Sequence, residues 1–194
     1  MKQRGVPFEE NLQPFDIQPT DRNPHFRAFS PTGKVPVLVD GELTVWESLA
    51  ILEYVAERHP DKGLWPEDSA SRAIARSISH EMHAGFNDLR NECPMNMRRP
   101  PGELKVSAGV DKDVGRIRSF WAEALQRSGG PFLFGEFTIA DAMFAPVVSR
   151  FQVYRLGDSD EVRRYTASMT ALDAWQEWIS AARDERWTVE GVER

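Results

Sequence analysis

The spacing of the apolar residues changes near residue 66, and this change limits the possible folds of the 194-residue chain more than any other feature. Before Pro66, short apolar runs alternate with turn residues, which is typical of strands joined by tight turns. From Ser69 onward, apolar residues recur every three or four positions, as in helices. The stretch 62–71 contains a glycine, a proline and a small polar cluster, so it is the predicted linker. We predict a mixed α/β domain at 1–64 and an all-helical domain at 65–194.

The first half carries the pattern of a β-hairpin followed by a helix. An apolar run at 35–39 leads into Asp40-Gly41, a turn signal because glycine readily adopts positive φ and aspartate tolerates it. The run at 43–46 would be the antiparallel partner strand. Ser48 is predicted to be the N-cap of the helix that follows. The two other predicted elements are a strand at 7–17 and a short helix at 23–29.

The second half predicts four helices joined by loops. The first follows residue 69 and is broken only at Cys93-Pro94, because proline cannot continue an interior helix. The second helix carries apolar positions within 114–125. The third runs from 138 through the region of 154, and the fourth carries apolar positions within 172–182. The helix that starts at 138 begins with the sequence TIAD, in which Thr138 and Asp141 are predicted to form a capping box with a structural role.

Charge and cysteine content exclude several classes of protein. The chain has 24 basic and 30 acidic residues, a net charge of −6, and neither sign forms a long block, so binding to nucleic acid or to an anionic membrane is not favoured. No apolar run approaches the roughly 20 residues of a membrane span. Cys93 is the only cysteine, so neither an intrachain disulfide nor a CxxC redox motif can form, and we interpret it as an inert buried thiol. A cytoplasmic protein is expected.

The dipeptide Val35-Pro36 has two interpretations that the residues leave open. Proline is tolerated at the first residue of a strand, and most X-Pro bonds are trans. A cis bond would instead turn the chain so that Val35 presents its N–H and C=O to solvent. An extended peptide could then pair with this main chain as an added strand.

The dipeptide Glu47-Ser48 also has two interpretations. A serine N-cap beside a carboxylate stabilises a helix by about 1 kcal/mol, without any ligand. The same helix N-terminus can bind a carboxylate, while Glu47 can accept an ammonium group. Together with the Val35 main chain, and with Lys34 for a second carboxylate, these residues would recognise a small peptide that ends in a free α-amino acid. Glutathione is such a peptide.

The sequence resembles a known family over nearly its whole length. The run GKVPVLVDGELTVWESLAILEYVAERHP at 33–60 resembles the glutathione-binding half of the soluble glutathione transferases. The run GPFLFGEFTIADAMFAPVV at 130–148 resembles the start of a helix in this family, and SHEMHAGFNDLRNECPMNMR at 79–98 resembles a long helix of bacterial members. The resemblance implies a thioredoxin-like N-terminal domain, an all-helical C-terminal domain and usually a homodimer.

The resemblance also implies roles for individual residues. The main chain of Val35, before Pro36, would pair with the cysteinyl unit of glutathione. Glu47 and Ser48 would hold the γ-glutamyl end, and Lys34 would meet the glycyl carboxylate.

The family's first strand and most of its first helix have no counterpart in this sequence, whose opening MKQRG resembles the end of that helix. In the family, a Ser, Tyr or Cys at the turn between that strand and helix activates the glutathione sulfur. We therefore assign no catalytic residue within the chain and expect the activating residue, preferably a serine, upstream of Met1. To make thiolate the main form at neutral pH, this residue and its helix would have to lower the pKa of the glutathione thiol by about 2, which requires about 2.7 kcal/mol of stabilisation of the thiolate over the thiol.

A second-substrate pocket is predicted around Met82, His83 and Phe86, which helical spacing places together; the alternative is a partly buried helix surface. The sequence HEMH at 80–83 spaces its histidines by three and not by the four of HExxH, so we predict no metal site.

These patterns predict a glutathione transferase that joins the glutathione thiolate to a small hydrophobic electrophile, with glutathione as co-substrate. The alternative is a catalytically silent glutathione-binding or interaction protein of the same fold. Thiol-disulfide reduction is disfavoured, because the chain has no CxxC motif.

Overall fold

The protein, described here by a computed structural model covering residues 1–14 and 24–188, begins with short elements and continues with helices. The strands are β1 (Val37–Asp40) and β2 (Leu43–Trp46), and three 3-10 turns lie at Lys2–Arg4, His25–Ala28 and Pro60–Lys62. The helices are α1 (Ser48–Arg58), α2 (Ser69–Ala84), α3 (Asn87–Glu92), α4 (Ala108–Ser128), α5 (Ile139–Tyr154), α6 (Asp160–Thr170) and α7 (Asp173–Asp184).

The two strands form the predicted antiparallel hairpin, in register from Val37 opposite Trp46 to Asp40 opposite Leu43. Gly41 in the turn has a φ of 60°, the positive value that the turn signal predicts. Helix α1 packs on both strands and buries its apolar positions against them and the core. The hairpin therefore serves as a platform that sets where α1 begins.

The elements predicted upstream of the hairpin differ from those observed. The predicted strand at 7–17 is wrong for 7–14, which form no strand, and 15–17 lie outside the described residues. The predicted helix at 23–29 is a 3-10 turn at His25–Ala28, and position 23 is likewise outside the described part. The exposed polar side chains of 9–11 offer no apolar face with which a strand could pack.

The prediction of one unbroken helix up to Cys93 is wrong, because α2 ends at Ala84 and α3 is a separate short helix. Gly85 adopts an extended conformation, and Phe86 follows in the left-handed region at φ 57°. A Cβ atom on Gly85 would lie 2.7 Å from the carbonyl oxygen of Glu81, so this close approach requires glycine. The break turns the chain before the proline signal.

Helix α6 was not predicted, although its sequence carries a signal. Val162, Tyr165 and Met169 are buried at helical spacing, and the Ser159 hydroxyl accepts from the Val162 N–H. The charged residues around them lower the mean hydropathy of the segment and hide this pattern.

The core of the helical half is aromatic. The Trp121 ring lies 4.7 Å from the Tyr165 ring and 5.7 Å from the Phe144 ring, both in edge-on contacts. These three side chains are fully buried, and each contributes about 1.5–3 kcal/mol through burial. Among residues 1–14 and 24–188, none of the helices combines the length and the apolar character needed to cross a bilayer.

Candidate functional site

A cleft with a volume of about 1190 Å³ lies between the hairpin platform and the end of α2. This volume is enough for a tripeptide. All five residues predicted to bind glutathione line it: Lys34, Val35, Pro36, Glu47 and Ser48. The structure thus brings together residues that are up to 14 positions apart, although it does not test their roles.

The loop that carries Val35 is held in place by Ser30. The Ser30 hydroxyl donates to the Lys34 carbonyl at 2.6 Å and accepts from the Lys34 N–H at 3.1 Å. The Val35-Pro36 bond is cis. Within the described residues, no hydrogen bond engages the N–H or C=O of Val35. A half-buried main chain with a free donor and acceptor beside a cleft can pair with an extended peptide.

The start of α1 differs from the prediction that Ser48 is its N-cap. Glu47 is the cap, because its Oε1 atom accepts from the Ala50 N–H at 2.7 Å. The Glu47 backbone lies at φ 60° and ψ 151°, a region that disfavours side chains and costs about 1–3 kcal/mol. Ser48 is then the first helical residue, and its hydroxyl has no capping bond to make. Strain at a cleft residue is a feature of functional sites.

The predicted second-substrate residues occupy different environments. Met82 and Phe86 are buried in the core, with 4% and 8% of their surfaces exposed. His83 lines the cleft instead, and its Nε2 atom lies 3.1 Å from Glu47 Oε2. Of the three, His83 alone therefore reaches the cleft, and the second-substrate pocket stays a prediction.

The charge of the cleft comes mainly from cations. Arg27 and Lys34 line it, and Glu47 is the carboxylate among the described lining residues. Sequence reasoning missed Arg27, because a single arginine in the short 3-10 turn at His25–Ala28 belongs to no recognisable motif. Two cations and one anion match a ligand that carries two carboxylates and one ammonium group.

Comparison with known families identifies the two halves of the chain. Residues 1–58 match the family model described as glutathione S-transferase, N-terminal domain. Residues 107–181 match the model described as glutathione S-transferase, C-terminal domain, and the two ranges together span more than half of the chain. The chain belongs to the soluble glutathione transferase family. The family resemblance seen in the sequence is confirmed.

Several curated relatives are similar to this glutathione transferase family member. Rat maleylacetoacetate isomerase is 29% identical over 154 residues, which cover 78% of this chain and 70% of the rat protein. A probable maleylacetoacetate isomerase of Caenorhabditis elegans is 32% identical over 142 residues, covering 69% and 63%. Dichloromethane dehalogenase of Methylorubrum extorquens is 46% identical, but over 65 residues that cover 34% of this chain and only 23% of the dehalogenase.

Solved structures of the family resemble most of the chain. A glutathione transferase homologue from Burkholderia with bound glutathione has a TM-score of 0.68 at 25% identity, covering 95% of this chain and 88% of its own. A theta class glutathione S-transferase from Xanthomonas axonopodis has a TM-score of 0.65 at 22% identity, covering 92% and 87%, and this likeness concerns the fold alone. The predicted fold class, a thioredoxin-like N-terminal domain followed by a helical C-terminal domain, is confirmed.

Cys93 and His80 are not among the described residues that line the cleft. Cys93 is fully buried, and burial, with a smaller effect of Glu92, raises the pKa of its thiol to about 11, so it is protonated at neutral pH. The His80 ring bonds to the Arg76 carbonyl at 2.8 Å, whereas His83 faces Glu47. In the described ranges, no group of three or more His, Cys, Asp or Glu is arranged to hold a metal ion.

Proposed function

We propose that the protein binds glutathione in this cleft and transfers the glutathione thiolate to a small hydrophobic electrophile. The comparisons support the coarser statement, a glutathione-dependent transferase or isomerase activity. The observation that carries the proposal is the meeting, in one cleft, of the unpaired Val35 main chain with the helix N-terminus at Glu47 and Ser48.

Each part of the ligand has a group of matching chemistry. The Val35 N–H and C=O would pair with the cysteinyl unit as a short strand. The N-terminal N–H groups of α1 and the Ser48 hydroxyl would hold the γ-glutamyl carboxylate, and Glu47 the ammonium beside it. Lys34 and Arg27 would meet the glycyl carboxylate. This binding would fix the sulfur against a second substrate, so the contribution of these residues is positioning.

The chemistry at sulfur is nucleophilic. The thiol loses its proton, the sulfur forms a bond to an electrophilic carbon, and either a leaving group departs with its electron pair or the carbon framework accepts that pair. None of the described cleft residues is assigned to activating the thiol.

A glutathione-dependent isomerase is a second candidate. Four of the relatives similar to this chain over most of its length are named maleylacetoacetate isomerases, two of them as probable ones. In that reaction type, sulfur would add to a double bond and leave again after rotation, so glutathione would be regenerated. Arg27 and Lys34 both line the cleft, and one cation is enough for the glycyl carboxylate of glutathione. The other cation would then attract an acidic second substrate.

Binding and turnover should be measured together on the complete protein. We expect saturable glutathione binding by calorimetry, together with conjugation of a chromogenic electrophile. Isomerisation of maleylacetoacetate without conjugation would select the second candidate, and binding without either activity would select the catalytically silent alternative. Absence of glutathione binding would overturn the proposal.

A further inference from the structure

The contact between His83 and Glu47 joins the two halves of the protein inside the cleft. Their Nε2 and Oε2 atoms are 3.1 Å apart, and each side chain is nearly half exposed. Among the described residues that line the cleft, His83 is the one that follows the linker; all the others lie between positions 27 and 48. The helical half therefore reaches the cleft through this imidazole.

The position of His83 is fixed by the end of α2. Arg90 donates from Nη2 to the carbonyls of Met82 at 2.5 Å and His83 at 3.4 Å, and from Nε to the carbonyl of Gly85 at 3.0 Å. These bonds satisfy carbonyl groups that a helix C-terminus leaves without intrahelical partners. The imidazole thus projects from a turn held by a side chain of α3.

The Glu47 carboxylate has one contact at each oxygen before any ligand arrives. Oε1 accepts from the Ala50 N–H, and Oε2 faces His83. A ligand ammonium that binds Oε2 would share this oxygen with the imidazole. A neutral imidazole leaves the carboxylate its full negative charge, whereas an imidazolium at this distance offsets part of that charge.

We propose that His83 is a specificity-determining residue, which sets how strongly Glu47 attracts the α-ammonium group of glutathione. This inference rests on the proposed function. With a neutral imidazole, the carboxylate keeps its charge for the ammonium; with an imidazolium, His83 competes with the ammonium for that charge. Histidine is the side chain whose charge ordinarily changes between pH 5 and 8, so pH is the variable with which the two charge states can be compared.

Three cations and one paired carboxylate are the other charged groups around His83. Arg27 and Lys34 line the same cleft, and the Arg90 guanidinium donates to the His83 carbonyl. On its own helix, the nearest carboxylate is Glu81, which is paired with Arg116 through two bonds. Glu47 is thus the carboxylate whose charge the His83 proton controls.

Calorimetric titration with glutathione at pH 5.5 and 7.5 tests this role, with His83→Gln as a variant that keeps a neutral donor. The matched control is His80→Gln, on the same helix but with its ring bonded to the Arg76 carbonyl and away from the cleft. For the wild type and the control, we expect Kd to rise about threefold or more at pH 5.5. For His83→Gln, we expect Kd to change by less than about twofold between the two pH values. For N-acetylglutathione, which lacks the ammonium, the wild type and His83→Gln should show the same ratio of Kd values between the two pH values.

The outcomes separate the role of His83 from the proposed binding of glutathione in the cleft. Equal wild-type Kd values at both pH values, or a His83→Gln variant that keeps the wild-type pH dependence, would overturn the role of His83 while leaving glutathione binding intact. A His83→Gln variant that weakens binding by the same factor at both pH values would show a structural role only. No glutathione binding by the wild type at pH 7.5 would overturn the proposed function, and this inference with it.

Discussion

The Tyr165 hydroxyl of α6 donates to Asp141 Oδ1 of α5 at a distance of 3.0 Å, and both side chains are fully buried. Asp141 also accepts from the N–H groups of Leu133 and Thr138, at 3.1 and 2.8 Å, and from the Thr138 hydroxyl. Burial raises the pKa of the Asp141 carboxyl, while these donors act in the opposite direction. One side chain therefore joins the start of α5, the preceding loop and α6.

Replacing Asp141 should be severe. Asp141→Ala leaves several buried donors without a partner, so we expect a loss of about 3–5 kcal/mol in the free energy of unfolding. Tyr165→Phe removes one donor and leaves the others in place, so about 1–2 kcal/mol is expected. Urea denaturation of both variants measures this, with Ser77→Ala on the exposed face of α2 as the control. A loss below 1 kcal/mol for Asp141→Ala would contradict the network's importance.

Two glycines should respond in opposite ways to alanine. At Gly85, the added Cβ would meet the Glu81 carbonyl oxygen at 2.7 Å, so we expect a loss of about 1–3 kcal/mol. At Gly115, inside α4, no heavy atom lies within 4 Å of the new Cβ, and a helix interior favours alanine by about 0.5–1 kcal/mol. Melting temperatures should fall for the first variant and rise for the second. A shift of the same sign in both would contradict this explanation of the helix break.

Cys93 should be unreactive in the folded protein. Its thiol is fully buried, its pKa is raised to about 11 by burial, and its carbonyl accepts from the Arg150 guanidinium at 2.9 Å. We expect an aromatic disulfide reagent at pH 8 to react about a hundredfold or more slowly with the native protein than with the urea-unfolded chain. Equal rates would show that the thiol is accessible and would reopen a catalytic role for it.

Local patterns were sufficient to predict the hairpin, α1, α4 and α5, because each has its own turn or cap signal within a few residues. The predicted first helix of the second half is longer than α2. The chain leaves the helix at Gly85, where only glycine fits against the Glu81 carbonyl oxygen, and the spacing of apolar residues does not reveal this contact. The proline at 94 gave a stronger but later stop signal.

The candidate site was predictable where its residues lie in one continuous motif, as Val35, Glu47 and Ser48 do. The sequence predicts Ser48 as the N-cap of α1, whereas Glu47 is the cap. A positive φ is uncommon for glutamate, so residue type alone does not predict the φ of 60° at Glu47. The contact of Glu47 with His83 spans 36 positions and depends on how α2 packs beside the hairpin. Such tertiary contacts have no local signature in one sequence.

The affinity of Ser48→Ala for glutathione tests the central claim most directly. Glu47 caps α1, so removing the Ser48 hydroxyl changes the cleft without removing the helix cap. Calorimetry at pH 7.5 should compare this variant with the wild type and with Ser77→Ala, while unfolding curves confirm equal stability. We expect Kd to rise about tenfold for Ser48→Ala, equivalent to about 1.4 kcal/mol, and to stay unchanged for Ser77→Ala. An unchanged Kd for Ser48→Ala would contradict the assignment of this cleft as the glutathione site.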